Sequence, residues 1–239
     1  MGDSVFVITG ASRGIGAATA ELAAAAGYRL VLTSRHAEEL VNAGTRLGGP
    51  DRVWAASCDV TSWHELAFLM GRVEEEWGSI DVVFANAGSS VVTSFTSDEC
   101  APPAEWADMV LTNVCGPAYT AKAAMPALVR SRGHLVLTGS AAGRGVRPGN
   151  LYSATKWAVT GLAQNIRAEC ADTGVRVTVV QPGLTDTGAI PASRAAARAA
   201  EPKLDPADVG RAVLYAVSQP PSVDVNEIVV RPTGQGPYR

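Results

Sequence analysis

The chain alternates short apolar runs with longer helix-forming stretches throughout its length. Seven runs have strand character and are rich in Val, Ile and Leu, at residues 5–9, 29–33, 52–57, 81–86, 134–139, 175–183 and 226–232. Helical patterns separate them, at residues 16–27, 37–48, 62–78, 102–131, 152–172 and 205–220. Strands that are apolar on both sides belong in a parallel sheet covered on both faces. Right-handed crossovers then predict an α/β fold with a doubly wound, seven-stranded parallel sheet and helices on both faces.

Composition excludes several classes of protein. The 239 residues are 47% hydrophobic and carry a net charge of only −3, which gives no reason to propose a nucleic-acid or membrane partner. No linker, composition shift or repeat divides the chain, so we expect a single domain over residues 1–239. The cysteines lack the CxxC spacing of a metal site and are expected to be free thiols: Cys58, Cys100, Cys115 and Cys170. With no secretory or membrane-spanning signal in the sequence, the expected location is cytoplasmic.

The stretch "TGASRGIG" at residues 9–16 joins the first strand to the first helix. Its glycines are spaced differently from the G-x-G-x-x-G dinucleotide fingerprint, but the physics is the same. Gly10 allows a tight turn, Gly14 lets the backbone approach a pyrophosphate, and Gly16 lets helix and sheet pack closely. A flexible turn is the alternative interpretation, and the strand–loop–helix context favours phosphate binding.

Three further motifs follow in order along the chain. They are "NAG" at 86–88 after the fourth strand, Ser140 after the fifth, and "YSATK" at 152–156 opening the next helix. Together with the glycine loop they resemble the short-chain dehydrogenase/reductase family in its single-domain form, over essentially the whole chain. The resemblance implies a Rossmann-type sheet, a nicotinamide cofactor and a reaction that interconverts an alcohol and a carbonyl.

The candidate catalytic residues are Asn113, Ser140, Tyr152 and Lys156. Tyr152 and Lys156 are four apart in a helical pattern, so their side chains share one face. A lysine ammonium is expected to lower the tyrosine pKa from about 10, so that the phenol can act as general acid or base. Ser140 can hydrogen-bond the substrate carbonyl. By resemblance, Lys156 also binds the nicotinamide ribose and Asn113 organises a water behind it. Taken singly, these side chains could instead be ordinary cap, kink or helix-end residues.

The second strand ends in "TSRH" (33–36), which contains no acid. An acidic residue there would accept hydrogen bonds from the adenosine 2′-hydroxyl and select NAD. The guanidinium of Arg35 suits a 2′-phosphate instead. By resemblance, Arg13 approaches that phosphate from the other side, with Ser34 as a further donor. The sequence therefore predicts NADP(H), with two solvated surface arginines as the alternative.

The other cofactor contacts follow from the resemblance alone. They are Ser12 and Ile15 of the glycine loop, Asp59 and Val60 after the third strand, Asn86, Ala87 and Gly88, Tyr152 and Lys156, and Pro182, Gly183, Thr185 and Thr187 of "QPGLTDT". Thr187 would reach the nicotinamide carboxamide. No metal is expected.

Two features bear on the substrate. The spacing from Ser140 to Tyr152 is twelve, one less than is usual in the family, so the loop "AAGRGVRPGNLY" beside the substrate is short. Residues 188–204 are the expected substrate lid. Its Arg194 and Arg198 could meet an anionic substrate, although a solvated helix face is the favoured interpretation.

We therefore expect an NADP(H)-dependent oxidoreductase that acts on the carbonyl or alcohol of a small molecule. By resemblance, the long helices at 102–131 and 152–172 would form a homodimer or homotetramer. One alternative is a catalytically silent, NADP-binding regulator on the same fold, but such proteins usually lose the tyrosine or the lysine. A nucleotide-sugar epimerase or dehydratase would need a further substrate-binding region, for which the chain has no room.

Overall fold

The structure of the chain is a computed structural model that describes residues 4–188 and 199–235. Its strands are Val5–Thr9 (β1), Arg29–Ser34 (β2), Val53–Ser57 (β3), Val82–Ala85 (β4), His134–Thr138 (β5), Arg176–Pro182 (β6) and Glu227–Val230 (β7). The α-helices of the described ranges are Gly14–Ala25 (α1), Glu38–Arg46 (α2), Trp63–Trp77 (α3), Pro103–Val110 (α4), Gly116–Ser131 (α5), Leu151–Glu169 (α6) and Pro206–Val217 (α7). A π-helix at Leu111–Cys115 and a 3-10 turn at Ala141–Arg144 complete the helical elements described.

The seven strands form one parallel sheet in the order β3-β2-β1-β4-β5-β6-β7. The predicted doubly wound sheet is therefore confirmed, and each strand ends within two residues of its predicted bounds. The chain reverses its direction of travel across the sheet after β3, when β4 returns to the other side of β1. The extent of the domain, residues 1–239, stays a prediction.

Side chains that alternate along the strands enter two separate cores, one on each face of the sheet. Val7, Val83 and Leu135 pack with residues of α3, α5 and α6. Their neighbours in sequence, such as Ile8 and Phe84, pack with residues of α1, α2 and α7. Because both faces are buried, the strands carry apolar residues at successive positions, which is why they appear as continuous apolar runs.

The pattern at 102–131, predicted as one helix, is interrupted. The π-helix at Leu111–Cys115 separates α4 from α5, and it widens one turn around Asn113. Single π-turns inside helices are frequent at functional sites. Asn113 therefore lies at a defined irregularity rather than in a regular helix.

Most of the expected substrate lid, including Arg194 and Arg198, lies outside the described residues. Within the described ranges, no helix is both long enough and apolar enough to cross a membrane.

Candidate active site

The candidate site lies at the carboxyl ends of the central strands. β1 pairs with β2 on one side and with β4 on the other, so this is where the strand order reverses. Loops on the two sides of such a point separate and leave a crevice, which is where doubly wound sheets bind their ligands. The glycine loop follows β1, and Ser140 follows β5.

The glycine loop is shaped to hold a phosphate-containing cofactor. Gly10 has φ +65°, and a Cβ there would lie 2.8 Å from the Cα of Ala87. A Cβ on Gly16 would lie 2.2 Å from the carbonyl oxygen of Gly10, so no side chain fits at that position. No side chain of the described residues caps the amino end of α1, which leaves its first N–H groups available to an anion. The residues present fit the pyrophosphate of a dinucleotide.

The "NAG" motif holds this loop against β4. The side-chain nitrogen of Asn86 donates to the carbonyl oxygens of Thr9 and Gly10, at 3.0 and 3.1 Å. The backbone N–H groups of Asn86 and Ala87 both donate to the hydroxyl of Thr9. Asn86 and Ala87 thus act on the cofactor region chiefly by keeping the glycine loop in shape.

The two arginines of the NADP(H) prediction lie at the same edge of the sheet. The N–H of Ala11 donates to the carbonyl oxygen of Thr33 at 2.9 Å, which ties the glycine loop to the end of β2. Arg13 comes two residues after Ala11, and Arg35 comes two residues after Thr33. Both arginines are exposed. Among the described residues neither forms an ion pair with a carboxylate, and the nearby Glu38 contacts His36 instead. Both guanidinium groups are available to an anion.

The predicted role of Ser34 fits less well. Its side chain is buried, and its hydroxyl donates to the carbonyl oxygen of His36 at 2.6 Å while accepting from the His36 N–H. The Ser34 hydroxyl could donate to a phosphate only by giving up its hydrogen bond to the carbonyl oxygen of His36. Ser34 therefore shapes the turn that presents Arg35.

The other predicted cofactor contacts surround the same crevice. Asp59 is partly buried, and one carboxylate oxygen accepts hydrogen bonds from both the N–H and the hydroxyl of Thr61. Val60 is buried against Gly116. The segment after β6 approaches the glycine loop, since a Cβ on Gly14 would lie 2.9 Å from Cβ of Thr187. Four further members of that set line the pocket described below: Ile15, Pro182, Gly183 and Thr185. Ser12, which is half-buried in the glycine loop, is not among the residues that line it.

Tyr152 and Ser140 meet at the mouth of a pocket. Ser140 follows β5 and is nearly buried, and its hydroxyl accepts from the N–H of Ala142 at 3.0 Å. Tyr152 is in the first turn of α6, whose amino end is capped by the side chain of Asn150. The Ser140 side chain is close enough to the Tyr152 phenol to lower its pKa as a hydrogen-bond partner, while the Ser140 hydroxyl donates to the carbonyl oxygen of Pro182 at 3.5 Å. The pair can bind one oxygen atom of a substrate from two sides.

The direction of the Tyr152 pKa corrects one expectation. Burial raises the pKa of the Tyr152 phenol above its ordinary value, while the Ser140 hydrogen bond and the charge of Arg147 act to lower it. Lys156 does not bring the net shift downward, so the predicted lowering by lysine is wrong for the chain by itself. In this state the phenol is held protonated at neutral pH.

Lys156 lies behind Tyr152 and is almost completely buried. Its Nζ lies 5.7 Å from the centre of the Tyr152 ring and donates to the carbonyl oxygen of Thr138 at 2.8 Å. Burial lowers the pKa of Lys156 to about 8. No charged partner of the described residues acts on this ammonium, and its hydrogen bond to Thr138 uses one of its three donors. Gly88 lies beside this group, since a Cβ there would be 3.7 Å from the same Nζ, an ordinary contact distance.

Asn113 connects three elements rather than pointing into the pocket. Its side-chain oxygen accepts from the N–H of Ser89 at 2.9 Å, and its nitrogen donates to the carbonyl oxygen of Ser89. The same nitrogen donates to the hydroxyl of Thr155 at 3.1 Å. The π-helix therefore positions Asn113 between the segment after β4 and the helix that carries Tyr152 and Lys156.

The pocket also contains residues that the sequence did not single out. It is half open, holds about 200 Å³ of accessible space, and joins Ser140 and Tyr152 to the glycine loop and to the segment after β6. Ser90, Arg147, Asn150 and Gln235 contribute polar side chains to its lining. The only signal for Arg147 and Asn150 in the sequence is their position in the short loop before Tyr152.

Comparison with known proteins agrees with this geometry. The family described as short chain dehydrogenase matches residues 4–198. An oxidoreductase of Staphylococcus aureus (strain N315), described as uncharacterized, is 40% identical over 235 residues, which are 96% of this chain and 97% of that protein. The chain therefore belongs to the short-chain dehydrogenase/reductase family, and it is an oxidoreductase of that type.

Solved structures give the same result. An alcohol dehydrogenase from the archaeon Thermococcus sibiricus, complexed with 5-hydroxy-NADP, has a TM-score of 0.87 at 31% identity and covers 99% of both chains. The closed form of a serine dehydrogenase complexed with NADP+ has a TM-score of 0.86 at 28% identity, over 95% of this chain and 94% of its own.

Proposed function

We propose that the protein is an NADP(H)-dependent oxidoreductase that interconverts an alcohol and a carbonyl on a small molecule. The observation that carries the proposal is the placement of Ser140, Tyr152 and buried Lys156 together, beside a pocket that opens onto the glycine loop. Both hydroxyl groups face the pocket where a substrate oxygen could lie. A regulator without turnover would have no use for this arrangement.

We assign each residue a role in this reaction. Ser140 donates a hydrogen bond to the substrate oxygen, and Tyr152 gives that oxygen a proton during reduction or removes one during oxidation. Lys156 binds the ribose hydroxyls beside the nicotinamide. NADP+, when bound, accepts the hydride and brings a positive ring charge that opposes the effect of burial on the Tyr152 pKa. Asn113 fixes the helix that carries both Tyr152 and Lys156, and we assign it the ordering of a water behind the lysine.

Three observations support NADP(H) over NAD(H). Arg13 and Arg35 are exposed at one edge of the sheet without a carboxylate partner among the described residues. No acid occupies positions 33–36. Both solved relatives described above were complexed with NADP+ or a hydroxylated derivative of it.

We also propose a homodimer or homotetramer in the cytoplasm. Large apolar side chains are exposed on the π-helix, α5 and α6, where Leu111, Val129 and Trp157 are 45%, 39% and 51% accessible. Burying such groups against a second copy is favourable. The four cysteines are free thiols, which suits a reducing compartment.

The test of the proposal is turnover by wild-type protein and by Tyr152→Phe. Carbonyl compounds are supplied with NADPH, and alcohols with NADP+, while the absorbance of the reduced nicotinamide is followed. Tyr152→Phe should lose about 10²- to 10⁴-fold in kcat, because only the proton donor is removed, and should still bind NADPH. Tyr215→Phe, at an exposed tyrosine of α7, is the matched control and should remain active. Near-normal turnover by Tyr152→Phe would contradict the assigned role.

A further inference from the structure

We infer that Asn150 is a substrate-specificity residue, whose side-chain nitrogen donates a hydrogen bond to a second oxygen of the substrate, a hydroxyl or carbonyl close to the one that reacts. The inference rests on the proposed function, since it concerns the substrate that Ser140 and Tyr152 would bind. It follows from how the backbone and the side chain of Asn150 are held, from its place in the pocket lining, and from the donor atoms that its other contacts leave available.

The backbone of Asn150 is fixed on both sides by one buried hydroxyl group. Thr93 donates to the carbonyl oxygen of Gly149 at 2.6 Å and accepts from the N–H of Leu151 at 2.9 Å. The N–H of Asn150 itself donates to the carbonyl oxygen of Arg147 at 3.1 Å, which closes a turn. A group whose backbone is already fixed loses less conformational entropy when it binds a ligand.

The side-chain amide of Asn150 is oriented by the helix that follows it. Its oxygen accepts from the N–H of Ser153 at 3.0 Å and so caps the amino end of α6. Because an N–H group can bond only the oxygen of the amide, this contact determines which end is the nitrogen. The nitrogen carries two donor hydrogens and has no partner in residues 4–188 or 199–235. Capping therefore uses one end of the amide and leaves the other end available.

Asn150 lies in the part of the pocket lining that contains the reacting groups. It lines the same space as Ser140 and Tyr152, and it precedes Tyr152 by two residues. Most of the expected cofactor contacts in this lining belong instead to the glycine loop and to the segment after β6. A small molecule whose oxygen meets Ser140 and Tyr152 would therefore come within reach of the Asn150 amide.

Ser90 adds a second neutral polar group to the lining. Two hydrogen bonds between the side chain of Asn113 and the backbone of Ser89 hold the preceding residue in place. The Ser90 hydroxyl has no partner in the described part of the chain, and it can either donate or accept. An amide nitrogen that donates and a hydroxyl that does either suit a hydroxyl or carbonyl oxygen on the substrate.

The amide of Asn150 would also disfavour substrates that lack this oxygen. If an apolar part of a substrate covered the nitrogen, its donor hydrogens would lose their bonds to water without replacing them. We therefore expect hydroxyketones, diketones and the corresponding diols to be better substrates than plain ketones and alcohols of similar shape. The second oxygen itself is unchanged by the reaction.

The experiment compares ketones that differ by one oxygen. Butanone and its 3-hydroxy derivative acetoin, and acetophenone and 2-hydroxyacetophenone, are reduced with NADPH. The ratio of kcat/KM for the oxygenated over the plain ketone is measured for each pair, which cancels any effect common to both ketones. Wild-type protein should favour the oxygenated ketone of at least one pair. A wild type that prefers the plain ketone of both pairs would overturn the inference.

Two substitutions at Asn150 separate recognition from capping. Asn150→Ser keeps a good helix cap but removes the amide nitrogen, and it should lower the ratio about 3- to 10-fold, the usual effect of losing one neutral hydrogen bond. Asn150→Asp also keeps the cap, but it replaces the donor with an acceptor and should lower the ratio further. Ratios that stay at the wild-type value in both variants would mean that Asn150 acts only as a cap, against the inference.

The matched control is Asn226→Ser, the same substitution at an exposed asparagine outside the pocket lining. The side chain of Asn226 donates to the carbonyl oxygen of Asp224 at 3.3 Å, just before β7. This variant should keep the wild-type ratios. Circular dichroism establishes that each variant is folded, and titration with NADPH measures its cofactor affinity. A loss of NADPH affinity in both Asn150 variants would assign the amide to the cofactor and contradict the inference.

Binding without turnover separates this inference from the proposed function. Acetoin and butanone are titrated into the protein in the presence of NADP+, and binding is followed by ligand-observed NMR. Stronger binding of acetoin that is lost in Asn150→Ser supports the oxygen site even if no ketone is reduced, in which case only the proposed function fails. Reduction of both ketones, with a ratio that neither Asn150 variant changes, overturns the oxygen site and leaves the proposed function standing.

Discussion

The proposed preference for NADP(H) depends chiefly on the side chain at the end of β2. Arg35 stands there, exposed, on a turn stabilised by the bonds between Ser34 and His36. A cation at this position attracts a 2′-phosphate, whereas a carboxylate would repel it and would accept hydrogen bonds from a 2′-hydroxyl instead. The charge at residue 35 is therefore expected to set the preference between NADPH and NADH.

The change Arg35→Asp should reverse that preference. We expect the ratio of kcat/KM for NADPH over NADH to fall by about 10²-fold, because charge-assisted hydrogen bonds are lost and a like-charge repulsion replaces them. The measurement is steady-state kinetics with each reduced cofactor and one carbonyl substrate.

The control for this prediction is Arg46→Asp. It makes the same charge change at an exposed arginine of α2 that pairs with Glu21, away from the glycine loop. This variant should keep the wild-type cofactor ratio. A wild-type protein that prefers NADH would show that Arg13 and Arg35 are ordinary surface arginines.

At the scale of elements, the first residue of β5, His134, is buried beside β6 in its neutral form. The Nε2 of His134 lies 2.7 Å from the hydroxyl oxygen of Thr178, whose own proton is donated to the carbonyl oxygen of Val225. Nε2 must then carry the ring proton, and Nδ1 has no partner among the described residues. Burial, and secondly the charge of Arg176, lower the pKa of His134 to about 3.

This arrangement predicts a loss of stability in acid. The unfolded chain binds a proton at His134 near pH 6.5, while the folded chain does so only near pH 3. Stability from this group is thus complete above pH 6.5 and falls as the pH drops through that interval. By pH 5 the loss should reach roughly 2 kcal/mol.

The measurement is the free energy of unfolding by urea at pH 7 and pH 5. His134→Gln cannot titrate but can still donate to Thr178, so its unfolding free energy should fall less than that of the wild type over this range. His64→Gln, at an exposed histidine of α3, should follow the wild type. Equal pH dependence in His134→Gln and the wild type would mean that His134 is protonated within the fold.

Elements that depend only on neighbouring residues could be predicted from the sequence. Each strand is an apolar run bounded by turn residues, and the glycine loop is specified by the steric needs of a few adjacent positions. The π-helix could not be predicted, because residues 102–131 read as one continuous helical pattern. Its cause lies elsewhere in the chain, in the bonds from Asn113 to Ser89 and Thr155.

The same reasoning explains which part of the site was missed. Tyr152, Lys156 and Ser140 were found because their types and spacing carry a known chemistry. Arg147 has no such motif, and the turn that presents it is held by Thr93 from a distant part of the chain. The net direction of the Tyr152 pKa was likewise set by burial, which only the folded structure reveals.

At the scale of the whole molecule, the exposed apolar side chains of α5 and α6 indicate a face on which a second copy of the chain would bind. Trp157 is half exposed, although it lies one residue after the buried Lys156. A tryptophan on an outer helix face is costly to leave in water, and its burial against a second copy would fix the helix that carries Tyr152. The active-site helix would then be supported from both sides.

We expect the wild-type protein to be a homodimer or homotetramer at micromolar concentration. Trp157→Glu should shift it toward smaller species, because the change places charges in the apolar interface. Multi-angle light scattering measures the mass, with Phe68→Glu as the control, since Phe68 is also exposed but lies on α3. That control should keep the wild-type mass. A monomeric wild type, or equal dissociation in both variants, would rule out this face of α6 as the interface.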